Sequence, residues 1–208
     1  MSACVLSVSL LCVALVGAQR PPEPRPLHLK GPLTYFIADG RGQTGYLSTD
    51  RQLAQWALEA WQRSAQGGFR LEAAPAKRAM VKVYWGELGD GRYGEMRSVL
   101  VRGQRGAEVF IRPDTNALGP DIASRASADP LLRDSIVYLT CLHELGHALG
   151  LLHTADFRDI MYFFGFGGDI VQYFGRYRAQ LHDRSDIAMV SGLSLNDERR
   201  LVAMYPRH

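Results

Sequence analysis

Apolar positions along this chain fall into two rhythms. LTYFIADG, residues 33 to 40, is a short and nearly continuous apolar run closed by Asp-Gly, the pattern of a buried strand ending in a turn. AMVKVYWG, residues 79 to 86, alternates instead, so Val81, Val83 and Trp85 share one face of a strand. YGEMRSVLV and AEVFIRP repeat the strand pattern on either side of RGQRG, residues 102 to 106, and predict a hairpin. Between the first two strands the period changes. Leu53, Trp56, Ala57, Ala60 and Trp61 recur at i, i+3, i+4, i+7 and i+8, the spacing of an amphipathic helix. Thr49 and Gln52 read as its capping box, Gly67-Gly68 as its stop, and the two tryptophans as core anchors against a sheet.

The second half is helical in character. Asp129-Pro130 supplies an N-cap and a first-turn proline, and nothing breaks the following run until Gly150. That predicts a helix of about twenty residues, roughly 30 Å long. A last helix follows Ser194, with Asp197 three residues on, and stops at Pro206. Residues 163 to 193 begin FFGFGG and are aromatic and glycine-punctuated. They read as an irregular insertion, either a lid or exosite, or a loop folded over its neighbours. Strands with one helix among them, then helices, make an α+β fold.

Composition adds limits. At 208 residues, 47% hydrophobic and 22% charged, the chain suits one globular domain. Its 24 basic and 21 acidic residues are spread rather than clustered, so no nucleic acid partner is expected. Val5 to Val16 is apolar, Val16-Gly17-Ala18 is small, and PPEPRP follows. Residues 1–18 therefore read as a cleaved secretory signal, 19–32 as a proline-rich segment and 33–208 as the folded domain. The apolar run is too short to span a bilayer, so no membrane partner is expected after cleavage, and the location is secreted, extracellular or periplasmic. Cys4 and Cys12 would leave with the signal. Cys141 remains alone, which precludes an intramolecular disulfide and suits a small buried hydrophobe.

The chemistry concentrates in CLHELGHALGLLHTADFRDIMY, Cys141 to Tyr162, which holds three of the six histidines. Four titratable side chains in an apolar run are costly to bury unless something pairs with them. His143 and His147, four apart, project from one helix face and can reach a single ion. Gly150 can adopt the left-handed conformation that ends a helix and brings His153 round as a third ligand, leaving a position open for water. Glu144, adjacent to His143, is offset around the helix and suits a general base toward water polarised by Zn2+. The pattern H-E-x-x-H-x-x-G-x-x-H arises by chance in on the order of one chain in 10⁵.

These residues resemble the signature of the metzincin metalloproteases, whose extended histidine motif is followed by a methionine turn. Thr154 after the third histidine, and Met161 eight residues beyond it within DIMY, are most similar to the matrixin (matrix metalloproteinase-like) family. The resemblance is close over 136 to 162 and loose over 33 to 205. It implies a zinc endopeptidase with a sheet-and-helix upper lobe, a small lower lobe and a cleft between them. In that frame His143, His147 and His153 are the metal ligands, Glu144 is the catalytic base, and Met161 forms a hydrophobic floor. An extended protein or peptide substrate would pair along Tyr93 to Val101, and a monomer is expected. The chain also departs from the family. No PRCG segment occurs, so cysteine-switch latency is not expected, and His28, His182 and His208 are too scattered for a second zinc site. Phe163 stands where the family places proline, and residues 163–193 would shape the pocket beyond the cut bond. Ca2+ could use Asp114, Asp121, Asp156 or Asp169, although solvated loop acids are the plainer reading. A secreted, catalytically weak binding protein on the same scaffold is the alternative function, against which retention of Glu144 argues.

Overall fold

The alternation in AMVKVYWG is realised in a computed structural model that describes residues 25–86, 88–89 and 92–207. Strand β3 (Val81–Trp85) buries Val81, Val83 and Trp85, as the period of two requires. The predicted signal, residues 1–18, lies outside the described residues. Around β3 the chain runs β1 (Leu33–Ile37), α1 (Asp50–Ser64) and β2 (Leu71–Ala73) before it, then β4 (Gly94–Val101) and β5 (Gln104–Ile111). Helices α2 (Pro120–Ala128), α3 (Pro130–Leu149), α4 (Ile170–Arg178) and α5 (Leu195–Met204) complete the α+β fold. The sheet order is β2-β1-β3-β5-β4. Four strands are parallel, while β4 pairs antiparallel with β5 and forms one edge.

Helix α3 packs on β4, β5 and α1, and contributes more of the core than any other element. Asp129 caps it by accepting from the backbone N–H of Leu131 and Leu132, and Gly150 ends it at φ 107°, as predicted. Trp61 from α1 is buried and donates its indole N–H to the Leu142 carbonyl at 2.9 Å. Trp56 is only partly buried, and Arg184 lies over its ring instead of a sheet.

Three local expectations change. Thr49 has helical backbone angles and makes no side-chain cap, so the predicted capping box with Gln52 is absent. A tertiary partner explains this: the fully buried Asp50 carboxylate takes the Leu47 N–H and pairs with Arg133, which also meets Asp134. The hairpin loop is two residues, not five. Arg102 (φ 51°) and Gly103 (φ 75°) are both left-handed, the primed turn whose twist matches its strands, so β5 begins at Gln104. The 163–193 segment is no irregular insertion, since it contains α4. Asp169 caps that helix through the Gln172 N–H, and buried Tyr173, Phe174 and Tyr177 face α3. Tyr177 stacks on Tyr138 of α3 at 5.4 Å.

Both ends of the described chain close over the end of α3. The Arg25 N–H donates to the Gly150 carbonyl at 3.3 Å. Buried Leu27 donates its N–H to the Tyr205 hydroxyl, which in turn donates to the Leu149 carbonyl. A Cβ at position 150 would lie 2.5 Å from the Arg25 carbonyl oxygen, so glycine is needed there for space as well as for its angles. Among the described residues no helix is long and apolar enough to cross a membrane.

Candidate metal centre

The C-terminal half of α3 presents His143 and His147 one turn apart, and the turn at Gly150 returns the chain so that His153 faces them. One ring nitrogen from each lies within 4.8 Å of the others. His143 Nδ1 is 2.6 Å from the Ile160 carbonyl and His147 Nδ1 is 2.9 Å from the Leu151 carbonyl. A carbonyl oxygen only accepts, so both Nδ1 atoms carry the proton and both Nε2 atoms keep a lone pair. His147 Nε2 lies 3.0 Å from His153 Nε2. Lone pairs converging on one point, backed by carbonyls on the far nitrogens, are a donor set that suits a divalent cation.

Electrostatics agree. Burial, then the neighbouring His147 and His153, pushes His143 down to about 3, against the opposing Ile160 bond. Burial followed by His147 lowers His153 to about 4. Burial also lowers His147. All three imidazoles are neutral at pH 7, the form a metal requires.

Glu144 is buried beside them, facing β4. Burial pushes its carboxyl up to about 8; Glu95 adds to the rise, while Arg92 and a Met96 backbone hydrogen bond oppose it. Its position depends on Gly94 at the start of β4, where a Cβ would lie 2.6 Å from Glu144 Oε1. Met161 is fully buried, and a Cβ at Gly146, between the two helical histidines, would meet its Sδ at 2.4 Å. The thioether therefore packs directly against the backbone that carries the imidazoles.

Further residues support the turn beyond His153. The Ile160 N–H donates to Asp197 Oδ2 at 2.8 Å, and Ser194 N–H bonds the same oxygen at 3.0 Å. The predicted Ser194–Asp197 capping box is thus present and also holds the methionine turn. Ser194 and Asn196 both donate to buried Asp159, each at 2.6 Å. Arg200 donates to the Leu152 carbonyl at 2.7 Å, next to His153. Thr154 and Tyr162 form a parallel bridge, with Thr154 N–H donating to Met161 O and Phe163 N–H to Thr154 O.

The histidines and Glu144 open into a cavity of about 540 Å³ with mainly apolar walls, among them Leu139, Tyr162, Phe164, Ile170, Tyr173 and Phe174. The walls thus come from α3, the turn after Met161 and α4, with the start of β4 along another side. Gly94, Gly146 and the second role of Asp197, on the Ile160 N–H, do not follow from the sequence pattern. An isolated glycine inside a strand or helix pattern was the available signal for the first two.

The four acids suggested for calcium are not brought together. Asp114 accepts from the Asn116 N–H, Asp121 sits in the first turn of α2, Asp156 pairs with Arg158, and Asp169 caps α4. Among the described residues the three histidines are the one such cluster fit for a metal ion. Cys141 is fully buried on α3, and burial raises its thiol pKa well above the ordinary value, consistent with a packing role.

No protein-family model matches this chain, and no curated protein does. Among solved structures it is similar to myroilysin, at 16% identity and a TM-score of 0.41, over 85% of this chain and 84% of that one. The likeness is distant, and the reading of the site rests on its own residues.

Proposed function

We propose that the protein is a secreted zinc endopeptidase of the matrixin kind, with residues 33–208 as its catalytic domain. The observation that carries the reading is the convergence of His143, His147 and His153, two with carbonyl-anchored Nδ1–H groups, beside a buried carboxylate at the foot of an edge strand. Zn2+ at such a site supplies Lewis-acid polarisation of a carbonyl and of water at neutral pH. The three imidazoles would hold the ion, and its positive charge beside Glu144 would favour the ionised carboxylate that burial alone disfavours. In that form Glu144 accepts a proton from the attacking water and passes it to the leaving amine. Met161 keeps the space under the histidines apolar. The free edge of β4 receives an extended peptide by strand addition, and the neighbouring cavity takes a side chain of the bound segment.

Steady-state cleavage of a quenched peptide library by the purified chain tests this. Cleavage should be abolished by a zinc chelator and restored by Zn2+, and Glu144→Gln should lose turnover while retaining one zinc. One bound zinc with no turnover of any peptide favours the non-catalytic binding protein instead. No zinc uptake removes both readings.

A further inference from the structure

Two of the three histidines are oriented from behind by hydrogen bonds; the third is not. Among the described residues no hydrogen bond reaches His153 Nδ1, and the one ring-nitrogen contact within hydrogen-bond distance is between its Nε2 and that of His147. What lies against its ring is Phe163. The two rings are stacked, with centroids 4.7 Å apart and planes 26° from parallel. Backbone pairing explains the meeting. The parallel bridge between Thr154 and Tyr162 aligns the two segments, and alternation about it sends the side chains of 153 and 163 to the same face, where the rings meet diagonally.

Phe163 is held in turn. Phe166 meets it edge to face at 5.3 Å. Gly165 leaves the space its ring fills, since a Cβ there would come within 2.1 Å of Phe163 Cε1. The aromatic is 43% exposed, so it is not a core residue whose removal would unfold the domain.

We infer that Phe163 is a positioning residue for the metal site, fixing the ring of His153 by stacking where His143 and His147 are fixed by carbonyls. The inference rests on the zinc reading proposed above. A stack of this geometry is worth about a factor of 2 to 12 in an equilibrium constant. Because His153 is the one ligand outside α3, freedom of its ring falls directly on metal affinity. Phe163→Leu keeps an apolar side chain but removes the ring. Gly165→Ala keeps the ring but displaces it. Phe163→Tyr keeps the stack.

The test reads the stack and the metal separately. In the metal-free protein, the His153 ring protons should show an upfield ring-current shift by NMR. That shift should disappear in Phe163→Leu, diminish in Gly165→Ala and persist in Phe163→Tyr. Zinc affinity, measured by competition with a chromophoric chelator, should weaken about threefold to tenfold in the first two variants and stay within twofold in the third. Melting midpoints of the metal-free variants should match the parent. Wild-type zinc affinity in Phe163→Leu despite a lost ring shift overturns the inference. So does equal weakening in Phe163→Leu and Phe163→Tyr. Failure of the parent chain to bind zinc overturns the metal reading itself, and the ring shift, which needs no metal, tells that outcome apart.

Discussion

Replacing Gly94 by alanine puts a methyl group where the Glu144 carboxylate sits. The new Cβ would lie 2.6 Å from Oε1, 2.7 Å from Cγ and 3.0 Å from Cδ, on three atoms of one side chain. Ordinary contact begins at 3.4 Å, so the carboxylate must retreat by about 0.8 Å. Its own end can swing, and alanine is favoured over glycine in a strand by roughly 0.5–1 kcal/mol, so the fold should not suffer. Catalysis should. Misplacing a reacting group by about 1 Å can cost about 100-fold in rate. A group that acts only in the transition state lowers kcat and leaves KM in place. The assay is steady-state cleavage of a quenched peptide, paired with elemental analysis for zinc and a thermal melt. The expected result is kcat down about 30- to 100-fold, with KM, zinc content and melting midpoint close to the parent. A kcat within threefold of the parent, zinc still bound, would refute the assignment of Glu144 as a base placed by Gly94.

Gly146→Ala should destabilise by about 1–3 kcal/mol in urea melts despite the better helix propensity, because its Cβ would overlap the buried Met161 Sδ. Arg133→Met should cost about 3–5 kcal/mol by the same measurement, since it leaves the fully buried Asp50 carboxylate unpaired. Asp197 gives a pH signature. Burial raises its pKa in the folded state, with Asp159 adding to the rise and bonds from Ile160 and Ser194 opposing it. Its stabilising contribution is therefore fully present below the unfolded value of about 3.9 and declines as pH rises through the folded value. Urea melts across pH should lose that component in Asp197→Asn. Asp197→Ala should cost about 1–3 kcal/mol through the orphaned N–H of Ile160.

Local signals made part of this molecule legible. Helix α3 has its cap, first-turn proline and terminating glycine within the segment itself, so both ends followed from neighbouring residues. His143, His147 and His153 were likewise readable, because helical pitch and one left-handed glycine bring them together without long-range help. The misses are long-range or come from competing local cues. Nothing in YGEM says that Gly94 faces Glu144 fifty residues later in the chain. Thr49 lost its capping role to an Asp50–Arg133 pair formed across the fold. Helix α4 was visible in principle: Ile170, Tyr173, Phe174 and Tyr177 keep helical spacing after an Asp cap. The glycines before it drew the reading toward a loop. Asp197 shows the limit from the other side, for a cap predicted within three residues also serves a turn 37 residues away.

The hydrogen bonds that meet at the end of α3 tie the turn before His153 to a distant part of the chain. Arg200 in α5 donates to the Leu152 carbonyl and Tyr205, just after α5, to the Leu149 carbonyl. A chain in which α3 has formed but α5 has not docked has His143 and His147 on one helix face, without these clamps on the arm that carries His153. Docking of α5 therefore couples completion of the fold to the placement of the third imidazole.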